Sequence, residues 1–382
     1  MMTRRQGTQT GRTRVGQRAV LLLLAGALVA YAHDVSMPDA RHGVPSSARL
    51  PIARVAQGVM VGADAQGGWQ PVGPTLIAHT FVANPANPSQ LYEGTGAGVY
   101  RSSDAGLHWR QASTGLPGAA REVWSLTVIP DGSLVAATGA GVYRSTDGAR
   151  HWRAAGLGMR AIYTVAAHLA GHIVLLVGGD GGIFRSDDRG LHWRTVYNAG
   201  PGAVSALAWP SARPSLVVAG LNPGPQPIVV SLDGGGAWRR EARGLPARVG
   251  MMSIAVAPGG RAVYAGSMGL GPYVAADPTA SWQARTGGLP GLKAGDAHIG
   301  SFAFDPDNPA IIYAATPAGV YRSTDAGTYW ALFGGGLPGD ATVVTALGLV
   351  MWPRPTLYAA TIAGVYRQAL PIRRSRRWHG ER

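Results

Sequence analysis

The chain of 382 residues has no cysteine, a single lysine (Lys293) and only four glutamates, Glu93, Glu122, Glu241 and Glu381. Without cysteine there is no disulfide framework, no thiolate zinc site, no cysteine nucleophile and no lipid-modified cysteine. Charged residues make up 14% of the chain, too few for a disordered polyelectrolyte. The Ala/Glu/Lys/Leu richness of a helical bundle is missing too. No Gly-rich phosphate loop, paired-histidine zinc motif or serine elbow occurs.

What the chain has instead is 56 glycines and 27 prolines set between short Val, Ala, Tyr and Trp runs. Such punctuation predicts an all-β protein with many tight turns. The formal net charge of +14 is concentrated at the ends. Residues 1–32 carry five arginines and no acid, and residues 372–382 carry five arginines against Glu381. About +5 is left for the central body, so the high isoelectric point is no argument for specific nucleic-acid binding.

Five arginines precede an apolar run from Ala19 to Ala32 that ends in Ala30-Tyr31-Ala32. A run of 14 residues is short for a bilayer span, and the small-x-small ending suits a signal peptidase. Residues 1–32 are expected to be an export signal or an uncleaved signal anchor, the latter being the one membrane attachment expected. Residues 33–51 follow as a polar spacer, 52–371 as the folded body and 372–382 as a basic tail. The body is then extracytoplasmic, secreted or envelope-associated.

The body repeats. Val99–Trp109 reads VYRSSDAGLHW, Val142–Trp152 VYRSTDGARHW, Ile183–Trp193 IFRSDDRGLHW, Val229–Trp238 VVSLDGGGAW and Val320–Trp330 VYRSTDAGTYW. Two worn copies keep Asp64 before Trp69 and Asp277 before Trp282. The seven aspartates are separated by 40, 43, 41, 45, 44 and 48 residues. Short β-like runs on a period near 43 are the signature of a propeller blade. Three further strands without a Trp end the body (343–350, 357–361 and 365–368), and a Trp-bearing strand near Trp69–Val72 begins it. The expectation is a seven-bladed β-propeller of four-stranded blades, its last blade closed by strands from both chain ends. Val59–Ala63 and Val365–Gln368 compete for the third strand of that blade.

These copies resemble the Asp-box, or bacterial neuraminidase repeat, S-x-D-x-G-x-x-W. The pairs Asp104/Trp109, Asp188/Trp193, Asp233/Trp238 and Asp325/Trp330 match in full, and Asp147/Trp152 has Ala149 in the Gly slot. Asp can accept backbone N–H bonds across a tight turn, and the Trp offers a large apolar face. The motif therefore reads as a hairpin fastener. In families of this type it lies away from the ligand site. More generally, the chain resembles photosystem II stability and assembly factor propellers, which implies non-enzymatic partner binding, and sialidases, which implies glycoside hydrolysis.

The residues themselves give hydrolysis little support. The arginine triad and Tyr–Glu pair of sialidases have no clear counterpart, and the Arg-Ile-Pro signature is absent. Glycosidases need two carboxylates facing a cleft; the loop acids on offer are Glu122, Asp180, Asp296 and Asp340. His108, His151 and His192 recur before box tryptophans, on different blades, so neither a metal nor any other cofactor is expected. Arg101, Arg144, Arg185, Arg322 and Arg367 share one repeat position and read as structural. The loops that should emerge at one end of the ring carry Arg121, Arg160, Arg248 and Lys293, with Tyr163 as a flat contact. A cationic rim attracts an anionic ligand. The expected function is a non-catalytic, monomeric propeller binding a protein or glycan at that rim. A hydrolase using rim carboxylates is the alternative, and a scaffold held by its basic tail is a third reading.

Overall fold

The computed structural model describes residues 68–169, 171–222, 226–291, 295–351 and 354–371. The segments expected as signal and spacer, Val59–Ala63, Asp64, Lys293 and the basic tail lie outside the described residues.

Antiparallel sheets are arranged in a ring. The first contains Ala78–Asn84, Asn87–Thr95, Gly98–Ser102 and Arg110–Gln111. The second contains Val123–Val128, Leu134–Thr138, Gly141–Ser145 and Arg153–Ala154. Inner strands of successive sheets touch one another around the ring and form its inner wall, Arg194–Ala208 making the contact with Met251–Val256, and two-residue strands form outer edges. Between sheets lie apolar layers. Tyr92 and Val99 of the first sheet, for example, pack with Leu134, Ala136 and Trp152 of the second. Side chains alternate across each strand, so every sheet serves two such layers.

The expectation of seven four-stranded blades is corrected here: the propeller has six hydrogen-bonded blades. Five have four strands, and one has six and spans Ile162 to Arg240. Two repeat units are joined in that broad blade. The run Gly178-Gly179-Asp180-Gly181-Gly182 lets the strand Ile173–Ser186 turn without breaking, with Gly182 at φ 144°. A Cβ at Gly182 would lie 1.9 Å from the Tyr197 carbonyl oxygen, so only glycine fits. Arg194–Ala208 is one residue longer still, and Asp180 pairs with Ala203 across the join.

Closure uses both ends of the described chain. Gln70–Pro71 pairs with Gly364–Ala369, which is followed inward by Thr356–Thr361 and Val344–Val350. Val72 N–H adds a 2.8 Å bond to the Val365 carbonyl. Val365–Gln368 therefore lies in the third strand of the closing blade.

A latch recurs on the inner wall. Most inner strands carry a bulge near their start, and at three seams a hydroxyl on an inner strand reaches the backbone of the next blade. Thr345 Oγ1 donates to the Ala78 carbonyl, Ser205 Oγ to that of Met251, and Ser253 Oγ to that of Ile299. His79 makes the equivalent bond to the Val123 backbone.

Candidate functional site

The box aspartates are absorbed by their own turns. Asp104 Oδ1 accepts from Ser102 Oγ at 2.8 Å and from the His108 N–H at 2.9 Å, while its Oδ2 meets the His108 ring at 2.7 Å. Partial burial pushes the Asp104 carboxyl up, but these hydrogen bonds outweigh it and hold it at about 2. The same set recurs at Asp147 and Asp188, with Nδ1 of His151 and His192 at 2.7 and 2.6 Å. At Asp233 and Asp325 the serine and backbone bonds remain without a histidine. The three histidines are thus exposed partners of box aspartates.

The repeated arginines join neighbouring turns. Arg101 Nη1 donates to the Gly148 carbonyl at 3.0 Å, Arg185 Nη1 to that of Gly234 at 2.7 Å, and Arg367 Nη1 to that of Ala105 at 3.4 Å across the closing seam. Arg144 instead binds Asp131 at 2.9 Å, and Arg322 lies over the rings of Tyr313 and Phe333.

The rim residues divide. Arg121 ends the short 3-10 turn Gly118–Arg121, and its Nε donates to the Leu116 carbonyl at 3.2 Å. It lines an open pocket of about 530 Å³ with Gln111, Ser113, Thr114, Gly115, Leu116 and Pro117. The pocket wall is pinned by the next repeat: Trp152 N–H donates to the Thr114 carbonyl and its indole N–H to that of Ala112, both at 2.8 Å. Arg160 leans over Phe184, 5.5 Å from the ring centre, with Nη1 3.5 Å from the Asp180 carbonyl. Arg248 is exposed, at φ 62°, and has no hydrogen bond or ion pair among the described residues.

Tyr163 is buried rather than a flat exposed contact, and its hydroxyl donates to Asp180 Oδ1 at 2.9 Å. Burial, the Asp180 hydrogen bond and the charges of Asp180 and Glu122 all push its phenol up. The structure therefore gathers Glu122, Asp180, Tyr163 and Arg160 at one part of the ring. Asp296 is exposed on a loop of another blade. Glu241 is tied to Arg239 at 3.0 Å on an outer edge. Among the described residues no group of three or more His, Asp or Glu side chains could hold a metal ion.

Three groups were missed by reading loops alone. His79 stacks on Trp124, with centroids 4.5 Å apart and planes within 9°, and Trp124 meets Tyr163 edge-on at 6.2 Å. One face of Trp124 is therefore already covered. Glu93 is fully buried, and neither carboxylate oxygen has a hydrogen-bond partner among the described residues. Its signal was present in the repeat: Glu93 pairs with Tyr100 as Ala136 does with Tyr143, Ala265 with Tyr273 and Ala314 with Tyr321.

No family model matches the chain, and no curated protein does. Solved propellers share its fold. The GH74 xyloglucanase from Xanthomonas campestris superposes with a TM-score of 0.63 at 21% identity, covering 78% of this chain and 53% of the enzyme. The extracellular domain of BT4673 from B. thetaiotaomicron gives 0.62 at 12% identity, covering 79% of this chain and 40% of that one. YCF48 bound to D1 peptide gives 0.60 at 16% identity, covering 83% of this chain and all of YCF48. The chain thus spans about half the length of the xyloglucanase and the whole of YCF48. At these identities the likeness is one of fold, and it does not establish membership of the Asp-box family.

Proposed function

We propose that this chain is an exported, monomeric, non-catalytic propeller that binds a protein or glycan partner on its loop-bearing rim. The observation that carries the reading is the Arg121 pocket. Among the described residues its guanidinium makes one hydrogen bond, through Nε, and the pocket wall is fixed in place by Trp152. A rigid wall lowers the ordering cost of binding, and a guanidinium is suited to planar anionic groups. YCF48, a propeller that this chain spans completely, takes a peptide, which favours a polypeptide partner. The extracellular domain of BT4673 is a fold counterpart consistent with an extracytoplasmic setting.

The competing reading is a hydrolase built on Glu122 and Asp180, which both act on Tyr163. A tyrosine nucleophile must ionise, and every influence on Tyr163 opposes that. Glu93 cannot serve a substrate from a fully buried position.

The test is an array of acidic and neutral peptides beside a glycan array, read for both binding and turnover. Binding without turnover is expected, weakening as salt rises because exposed charges are screened over about 8 Å at physiological ionic strength. Arg121→Glu combined with Arg160→Glu should abolish capture of acidic peptides. Turnover of a glycan, lost in Glu122→Gln or Asp180→Asn, would replace the binding reading with the hydrolase.

A further inference from the structure

Glu93 lies where the ring is closed. Leu91, two residues earlier on the same strand, and Phe81, directly opposite Glu93 in register, belong to the apolar layer between the first and closing blades. The closing blade contributes Val350, Tyr358, Ala360 and Val365 to that layer. By strand alternation Glu93 points into the same layer. The first blade also has a small residue there: Ala78 occupies the inner-strand register held by Val123, Met251 and Val344 elsewhere.

The groups that could compensate a charge at this seam are few. On its own sheet Glu93 faces Phe81 and Tyr100. From the closing blade come Tyr358 and Arg367, and both donate to the Ala105 carbonyl. Among the described residues no hydrogen bond reaches either Glu93 oxygen, and burial is what acts on its carboxyl, pushing it well above the ordinary range.

We infer that Glu93 makes closure of the propeller pH-dependent, the seam being tight with a neutral carboxyl and weakened when the carboxyl ionises. An ionised carboxylate without a partner in an apolar layer is strongly disfavoured. The folded chain therefore retains a proton that the unfolded chain releases near pH 4.3, the ordinary glutamate value of about 4.3. Stability from this group is full below that pH. It falls as pH rises, until the folded-state carboxyl also ionises. The strands at stake hold the two ends of the described chain together, so the first region to loosen should be the pairing of Gln70–Pro71 and Gly364–Ala369 with their neighbours.

The experiment is denaturant unfolding of the full chain and of Glu93→Gln from just above the ordinary glutamate value of about 4.3 up to about pH 9. Relative to the variant, the folding equilibrium constant of the parent should drop by about tenfold per pH unit until its carboxyl ionises. A parent-to-variant ratio that does not change with pH would overturn the inference. Glu93→Ala, the residue found at this register in other blades, should fold and also lose the slope. Should neither variant fold, the infrared spectrum of the parent decides. A protonated-carboxyl carbonyl band that persists above the ordinary glutamate range and disappears on raising the pH further supports the inference, and loss of the band at about the ordinary value of 4.3 refutes it.

Discussion

His79 and Glu93 are both kept neutral by burial, and they act on stability from opposite ends of the pH scale. Burial lowers the His79 imidazole to about 4, against a smaller upward pull from its bond to the Val123 backbone. The unfolded chain protonates this histidine near its model value of 6.5, whereas the folded chain does not until about pH 4. Stability should therefore fall as pH drops from 6.5 towards 4, by up to about 3 kcal/mol at roughly 1.4 kcal/mol per pH unit. His79→Gln should flatten that acid limb, as read by denaturant midpoints at pH 7 and pH 4.5. The box aspartates work in the same sense as His79 and opposite to Glu93. Their lowered carboxyls add stability above the ordinary value near 3.8, and it is lost as pH falls through about 2 at Asp104.

Among the hairpins, the tightest constraint is where one repeat grips the next. Gly115 sits at φ 92°, and a Cβ there would lie 2.1 Å from the Trp152 carbonyl oxygen. Gly115→Ala should destabilise the fold by more than about 1 kcal/mol, visible as a lowered Tm. Trp152 is 3% exposed and holds Ala112 and Thr114 through its two N–H groups. Trp152→Ala should cost about 3–5 kcal/mol, and it should also weaken any ligand of the Arg121 pocket because the wall loses its support. A ligand affinity unchanged in a folded Trp152→Ala chain would separate the pocket from the binding site. Asp104→Ala, by comparison, removes exposed hydrogen bonds and should cost about 1 kcal/mol.

At the scale of the whole ring, closure rests on a very short outer strand. Gln70–Pro71 and the Val72 N–H cover the edge of Gly364–Ala369, and Trp69 sends its indole N–H to the Phe333 carbonyl at 3.4 Å. A chain beginning at Gly73 loses these contacts and bares a strand edge, so it should melt lower and self-associate more than one beginning at Gly68. Light scattering beside the thermal melt reads both effects. Equal melting and scattering would mean that the short strand adds nothing to closure.

The sequence alone determined the propeller class and the box turns, and it marked both chain ends as the source of the closing blade while leaving its third strand open between Val59–Ala63 and Val365–Gln368. Each of these depends on local chemistry that every repeat states again. Asp in a turn, Gly at positive φ and alternating apolar residues act over a few residues, so their spacing is enough to read them. The strand expected over 357–361 lies within a residue of the observed Thr356–Thr361 for that reason. Tertiary structure decided what depends on neighbours brought from afar. Only the folded ring joins two repeats into one broad blade through the Gly178–Gly182 bend, because hydrogen bonding across Asp180 and Ala203 needs both long strands in place. Only it turns Tyr163 inward onto Asp180, and seals Glu93 between the first and closing blades. The reason is that burial belongs to a surface shared by two segments. Phe81 and Tyr358 are far apart in the chain, yet their rings stack 4.8 Å apart in the layer that faces Glu93.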